Sequence, residues 1–484
     1  ANSAASGGYE VDNSLRFNTA SSDYLTKTYS TTATSKKILT VSAWVKRSTL
    51  GAVNEVFSAS RASDGFQTDM IRFGASDQLE FFSFPSTGGT TSVKTTRVFR
   101  DTSSWYNIVV QVNTTDNTTA DRVRMYVNGV RETSFATGSY PAQNSDLQPI
   151  GIASGTVHSV GAVGTSSYFG GYLAEVVYAD GQALDATSFG EFDEDSGIWK
   201  PIDVSGLTFG NNGFYQQYLQ SGTGTNDSGM GADTSGNDNH YAVNNLTAVD
   251  QSTDTCTNNF STWNPVLAMN STMVIADGNL TGTTGSNYAN GASNCWFSTM
   301  GVSSGKWYVE IKQSAGTNNQ GQQLGIGYDL PKFQQGSGVN AFNVGYISEG
   351  WGYLGSEGRV VNNNNGILTG LSTWTIGDTI GIALDLDNYK LYFRKNGGSW
   401  ENSGNPESGS TGTGAISLTT GKTYFFGVSD ASLSNTYTFQ ANFGSAPYAI
   451  SSGNQDGNDR GNFEYAVPSG YLAICTKNLS EALS

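Results

Sequence analysis

The stretch GDTIGIALDLDNYKLYFRKNG, residues 377–397, decides the fold. Its apolar residues alternate, so Ile380, Ile382, Leu384 and Leu386 share one face of an extended chain. Asp387-Asn388-Tyr389 supplies turn chemistry, after which Leu391 and Phe393 resume the same period. Asn396-Gly397 closes the second run. That dipeptide is the strongest short-range hairpin signal, because both turn positions need positive φ. A period of two, punctuated by such turns, means antiparallel strands.

The same design recurs outward from this stretch. Leu39, Val41, Ala43 and Val45 alternate against Thr40, Ser42 and Trp44. Tyr106, Ile108, Val110 and Val112 share a face, as do Val123, Met125 and Val127 before a second Asn-Gly at Asn128-Gly129. Residues 306–312, 323–328, 423–428 and 436–443 read as further strands. Helical patterning is confined to one or two turns within 184–192, started by Asp185 or Thr187 as cap. Short strands at spacings of roughly 8–12 residues, separated by turn signals, argue for an all-β chain of two tandem antiparallel sandwiches. The expected divisions are a sandwich over 1–205, a polar Gly/Asn-rich connector over 206–255, a second sandwich over 256–450 and a C-terminal segment over 451–484.

Composition agrees with a packed chain. The 37% hydrophobic fraction, once the 60 glycines among 484 residues join it, approaches the ordinary globular value of about 45–50%. Only 14% of residues are charged, so Ser, Thr, Asn and Gly must cover much of the surface. A net charge of −16, from 25 basic and 41 acidic residues, repels phosphate backbones and excludes nucleic acid as the partner. No apolar run reaches the ~18 residues of a membrane span. The first residues, ANSAASGGYEVDNS, lack the basic-then-apolar pattern of a secretory leader, so synthesis in a cytoplasm or prior removal of a leader is expected. Cys256, Cys295 and Cys475 are too few and too far apart for a disulfide framework.

The second half resembles the SPRY domain family in GKWYVEI (305–311), LGIGYD (324–329), 377–397, FFGVSD (425–430) and FQANFG (439–444). The resemblance implies a bent two-sheet sandwich that binds proteins or ligands without catalysis. The first half resembles a concanavalin-A-like, laminin-G-like jelly roll in SLRFN (14–18), LTVSAWVKRS (39–48), WYNIVVQVNTT (105–115), DRVRMYVNGV (121–130) and GYLAEVVYADGQAL (171–184). Together with SFGEFDEDSGIWKP (188–201), NNGFYQQY (211–218), DTSGNDNHYAVNNL (233–246), TNNFSTWNP (257–265) and YLAICTKNL (471–479), the order is similar to bacteriophage virion proteins of the tail fibre or tail appendage kind. That resemblance implies a virion surface location, other virion proteins as partners and a homo-oligomer, with a trimer as the family expectation.

Catalytic chemistry finds little footing. His158 and His240 stand apart, fit no zinc motif and read as polar surface or loop residues. Residues 301–305 match G-x-S-x-G, but a strand follows where a nucleophile elbow needs a helix. Glu191, Asp193 and Asp195 offer an i, i+2, i+4 acidic set outside any strand, where carboxyls would not converge on one glycosidic bond. Asp385 and Asp387 border a hairpin turn. No catalytic residue is assigned.

Binding leaves more traces. The loop 233–239 places Asp233 and Asp238 among oxygen donors of the kind calcium prefers, which makes that pair the candidate metal site, with a solvated loop as the plainer reading. Sugar recognition needs exposed aromatics beside amides and hydroxyls. Trp351 and Tyr353 in a glycine-rich stretch, Trp400 past the Asn396-Gly397 turn, and Tyr288 are the candidate ligand-binding residues. Trp44, Trp105, Trp307 and Trp374 lie in or beside strands and read as core. The expectation is a non-enzymatic virion surface protein that recognises a host glycan or protein. The alternatives are a capsid decoration or connector that binds only virion proteins, favoured by the absence of a stalk-like repeat, and a polysaccharide depolymerase.

Overall fold

The computed structural model describes residues 8–61, 67–84, 89–147, 150, 155–267, 273–285, 294–316, 321–334, 343–430 and 435–482. Two compact units divide the chain, residues 2–259 and residues 260–484. Both are all-β sandwiches of antiparallel sheets, and no helix among the described residues is long and apolar enough to cross a membrane.

In the first unit, one sheet runs β10 (Val130–Arg131), β9 (Val123–Val127), β8 (Trp105–Asn113), β3 (Ile38–Arg47), β13 (Gly171–Asp180), β1 (Ser14–Phe17), β18 (Gln251–Ser252). A further strand, β16 (Phe214–Gln216), also pairs with β13. The facing sheet runs β11 (Phe135–Ser139), β7 (Thr91–Val98), β6 (Gln78–Phe84), β5 (Thr68–Phe73), β4 (Asn54–Arg61), β12 (Thr156–Val160), β2 (Tyr24–Tyr29), β17 (Ala242–Asn244). Val41, Val45, Val110 and Met125 from one sheet meet Phe57, Ile71, Phe81 and Val93 from the other in a single core.

Alternation fails in the central strands for a physical reason. All ten positions of β13 are buried. Segment 184–209 lies over the outer face of the first sheet, where Phe189, Trp199 and Phe209 cover Trp44, Trp105 and Tyr172. The expected helical turn shrinks to a single 3₁₀ turn, Ala186–Ser188, capped by Asp185 accepting from the Thr187 N–H. Residues 206–255 are not a connector: β16, β17 and β18 lie within them and join the sheets of this unit. Their glycine and asparagine content reflects tight loops between short strands.

In the second unit, one sheet runs β19 (Val274–Ala276), β20 (Thr281–Thr283), β31 (Tyr437–Asn442), β22 (Lys306–Gly316), β27 (Thr379–Asp385), β28 (Lys390–Lys395), β29 (Ile416–Ser417). The other runs β21 (Asn294–Phe297), β30 (Phe425–Asp430), β23 (Gln322–Gly327), β24 (Gly350–Leu354), β25 (Arg359–Asn362), β26 (Asn365–Thr369). The hairpin read from 377–397 forms in the register Ile382↔Phe393 and Leu384↔Leu391. Asp385 accepts the N–H groups of Asp387 and Asn388, which fixes its turn. At the far turn Asn396 and Gly397 adopt φ of 49° and 66°. A Cβ at Gly397 would also sit 2.2 Å from the Tyr465 ring, so space and backbone both demand glycine there.

The C-terminal segment is part of this unit rather than a tail. Phe463, Tyr471, Ala473 and Cys475 cover Tyr308, Ala383 and Tyr392 on the outer face of the sheet, and a short helix, α1 (Thr476–Ala482), ends it. Its anchor is Glu310, buried in β22. The two carboxylate oxygens accept from the N–H groups of Glu464 (2.9 Å) and Tyr465 (2.8 Å), the Tyr308 hydroxyl and the Asn442 amide. Burial nonetheless pushes the Glu310 carboxyl above its ordinary range, and those four donors oppose the push. Glu310→Ala orphans the donors, and urea unfolding of this unit is expected to lose roughly 2–4 kcal/mol. A loss below about 0.5 kcal/mol, within the range of ordinary surface substitutions, would show that the segment is held by its apolar contacts alone.

Candidate functional site

The end of β13 and three loops, around residues 31–35, 207–213 and 233–239, build an open groove in the first unit. Asp180, buried at the last position of β13, accepts from the N–H groups of Thr34 (2.6 Å), Ser35 (3.2 Å) and Asn212 (3.1 Å). Asp233 does the same for the opposite wall. Its Oδ1 accepts from the N–H groups of Tyr215 and Ser235, and its Oδ2 from the Ser235 hydroxyl and the Asn239 N–H. The Asn237 amide donates to the Gly210 and Gly213 carbonyls, and the Asn239 amide to those of Asn211 and Gly213. Two buried carboxylates and two amides thus lock three loops together.

The groove between these loops has a volume of about 790 Å³, inside the range of small-ligand sites, about 300–1,000 Å³. Thr31, Thr32, Leu207, Thr208, Phe209, Gly210, Asn211, Ser235 and Asn237 line it, none of them charged. Thr31 Oγ1 is committed to Asn212 and Ser235 Oγ to Asp233. Four polar atoms remain without a partner among the described residues: the hydroxyls of Thr32 and Thr208 and the Oδ1 atoms of Asn211 and Asn237. Hydroxyls donate and accept, whereas amide oxygens only accept. The arrangement suits a neutral, hydroxyl-bearing ligand, with Leu207 as an apolar edge.

The described aromatic candidates, Trp351, Tyr353 and Trp400, do not line this groove and are committed. Trp351 and Tyr353 sit in β24, paired with Ile326 and Leu324 of β23. Trp351 is 5% exposed and packs against Tyr328 and Tyr424. Tyr353 is fully buried and its hydroxyl donates to the Ser372 carbonyl. The stretch expected as an exposed loop is therefore a core strand. Its glycines alternate with its aromatics because the glycine face has no room: a Cβ at Gly352 would meet Gly345 at 2.9 Å. Trp400 is half-buried, with the Arg394 guanidinium 4.7 Å from its ring centre over one face and Tyr392 edge-on beside it. Tyr288 lies outside the described residues.

The expected metal pair also divides. Asp233 spends its carboxylate inside the loop, whereas Asp238 is exposed and groups with Asp227 and His240. The Asp233 N–H donates to His240 Nδ1 at 3.0 Å. A neutral ring then carries its proton on Nε2, which faces Asp227 Oδ1 at 3.3 Å as a donor. An imidazole in that state offers no lone pair to a metal. Calcium, which takes about six to eight oxygens, is poorly matched by two exposed carboxylates beside an N–H.

His158 is corrected from surface to core. It is buried in β12 between Tyr29, Phe57 and Tyr178, and burial pushes its imidazole down to about 3, so the ring is neutral. Glu191, expected outside any strand, lies in the short β14 (Gly190–Phe192), opposite Lys200 of β15 (Trp199–Pro201), whereas Asp193 accepts from the Asp195 and Ser196 N–H groups as an ordinary turn former. Residues 301–305 form a loop ahead of β22 with no helix after it.

Two polar clusters appear only once strand register is known. Glu55, Arg72, Glu80 and Lys94 stand on neighbouring strands as a ladder of alternating charge, and burial pushes the Glu55 carboxyl up to about 8. Glu175 sits at a β-bulge with φ of 50°, where the Tyr9 and Tyr215 hydroxyls meet its Oε2. Burial pushes its carboxyl up to about 7 against those donors. Tyr9 and Val11, whose N–H donates to Thr257 Oγ1, dock the N-terminal segment there.

Residues 18–187 match the profile of a laminin-G family described as the Concanavalin A-like lectin/glucanases superfamily. Residues 306–411 match the SPRY domain. The chain thus carries a concanavalin-A-like domain toward its N-terminus and a SPRY domain toward its C-terminus, both of types that are typically non-catalytic binding domains. Among solved structures, the SPRY domain of human HERC1 is 20% identical, covering 37% of this chain and 96% of that one, with a TM-score of 0.27. A heptameric SAP-like pentraxin from Limulus polyphemus is 16% identical over 36% of this chain and 78% of its own, at 0.27. The TRIM65 PSpry domain is 16% identical over 37% and 89%, at 0.28. No curated protein sequence matches the chain.

Two outcomes follow from the site's electrostatics. Millimolar calcium is expected to leave the thermal midpoint of the first unit unchanged. A rise of several degrees, abolished in Asp238→Asn, would show that Asp238 holds calcium and overturn this reading of the cluster. At Glu175 the folded value lies above the ordinary carboxylate value of about 4.3. Its stabilising contribution is therefore complete below that value and lost as pH rises through about 7. Hydrogen exchange at the Val11 amide, corrected for intrinsic rates, should accelerate between about pH 4.5 and 7, level off above that, and do so less in Glu175→Gln. Identical profiles for the two proteins would rule out that linkage.

Proposed function

We propose that this chain is a non-enzymatic surface protein of a bacteriophage particle, of the tail fibre or tail appendage kind, which recognises a host surface glycan or protein through the groove of its first unit. The observation that carries the recognition reading is the groove itself, with four uncommitted neutral polar atoms on walls fixed by Asp180 and Asp233. A rim that is already rigid lowers the ordering cost of binding. The particle assignment rests on the sequence resemblance, and the two binding-type domains are consistent with it. Within the second unit the edge strand β26, exposed at Ile367, suits contact with another particle protein, which favours a decoration or connector role as the second reading.

Thr208→Trp fills the groove from an exposed position and leaves the Asp180 and Asp233 bonds intact. Adsorption of particles carrying this variant to host cells is expected to fall about tenfold or more, equivalent to ~1.4 kcal/mol, with an unchanged melting profile. Gold-labelled antibody against the chain should decorate the tail of intact particles. Label spread over the head, with adsorption unaffected by Thr208→Trp, would replace recognition by decoration. Unlabelled particles would overturn the virion assignment.

A further inference from the structure

Lys46 is a buried amine that the groove does not use. In the first sheet it pairs with Tyr172 of β13 on one side and Trp105 of β8 on the other, so both rings flank it on the covered face. Its side chain is 1% exposed. Nζ lies 2.7 Å from Asp254 Oδ2 and 2.6 Å from Asn259 Oδ1. Trp105 Nε1 donates to the other oxygen of Asp254 at 3.1 Å, which holds that carboxylate in place. The Asn259 amide nitrogen donates to the Ser103 carbonyl at 2.7 Å, which turns the amide so that its C=O, not its NH₂, faces Lys46.

Asp254 meets one of the ammonium's three donors, and the Asn259 carbonyl meets a second. Here an amide carbonyl is also aimed at the amine, with its carbon only one C=O bond, ~1.2 Å, beyond the contacting oxygen. A buried amine and a buried carboxylate able to move protons, held against the amide carbon of a half-buried asparagine, are the components of an acyl transfer. We propose that Lys46 and Asn259 join in an intramolecular amide bond, with Asp254 relaying the protons.

The chemistry balances without a cofactor or oxidant. Asp254 takes a proton from the Lys46 ammonium, and the freed lone pair of Nζ attacks Cγ of Asn259. The new N–C bond forms, the Cγ–Nδ2 bond breaks, and Nδ2 leaves as ammonia after receiving a proton through Asp254. Of the three ammonium protons, one stays on the new amide, one departs with the ammonia and one rests on Asp254. The product ties β3 to a residue 213 positions away and closes most of the first unit into a covalent loop. Such a link constrains the unfolded chain in the way a long-loop disulfide does, without sensitivity to reductant.

The intact mass of the purified full chain decides it. The expected value lies below the sequence mass by one ammonia, about 17 Da, with a proteolytic fragment that joins the Lys46 and Asn259 peptides. Both features should vanish in Lys46→Arg and in Asn259→Ala. A wild-type chain at its full sequence mass overturns the proposal outright, whether or not the variants fold. So does a deficit that persists in Lys46→Arg, since succinimide formation at Asn128-Gly129 or Asn396-Gly397 loses the same mass. Asp254→Asn should leave the chain unbridged, and a bridge formed there at the wild-type rate would overturn the relay.

Discussion

Each sandwich contains strands buried on both faces, and the polar groups this brings inside must find partners. An unpaired buried donor or acceptor costs about 1–3 kcal/mol, so a handful left unmet would cancel the stability of an ordinary domain. The chain meets this constraint with acidic side chains aimed at backbone N–H groups. Asp180 and Asp233 each bind three N–H groups in the first unit, and Glu310 binds two in the second. Asp456 repeats the device for Asn458, Arg460 and Ala473. In each case one carboxylate collects several loop amides that no strand could pair. Part of the chain's acidic character is therefore internal and structural.

The groove follows from the same device. Loops rich in Gly, Asn, Ser and Thr would ordinarily lose entropy on binding anything. Here Asp180 and Asp233 have already fixed them, and the Asn237 and Asn239 amides fasten one wall to the other. What remains for a ligand is a neutral set of hydroxyls and amide oxygens. Charged side chains are absent from its lining, and its one aromatic, Phe209, is buried in the cluster that covers the outer face of the sheet.

Sequence reasoning placed the sandwiches and their turns, and it missed the layers. Period two identified β3, β8, β9, β27 and β28, and both Asn-Gly turns formed with positive φ at both residues. The same period was present in Gly350-Trp351-Gly352-Tyr353, but glycine is so common in this chain that the stretch passed for a loop. The segments that cover outer faces, 184–209 and 463–475, have no periodic signature at all. His158 was misplaced for a related reason: a lone histidine in a short strand carries no mark of which face it occupies. Lys46 and Asn259 could not be associated from sequence, since 213 residues separate them.

By itself, then, the sequence determined the all-β class, the two sandwiches, the hairpin registers set by local turns, and the resemblance to two binding-type domains. These depend on side-chain alternation and on turn backbone preferences, which act over a few residues. Only the tertiary structure decided which aromatics are core, that residues 206–255 complete the first sandwich, and that Asp233 organises a loop with its carboxylate already occupied. It also decided where an open, neutral groove lies. Those outcomes depend on which strands become neighbours and what covers them, and burial by distant segments leaves no trace in local order.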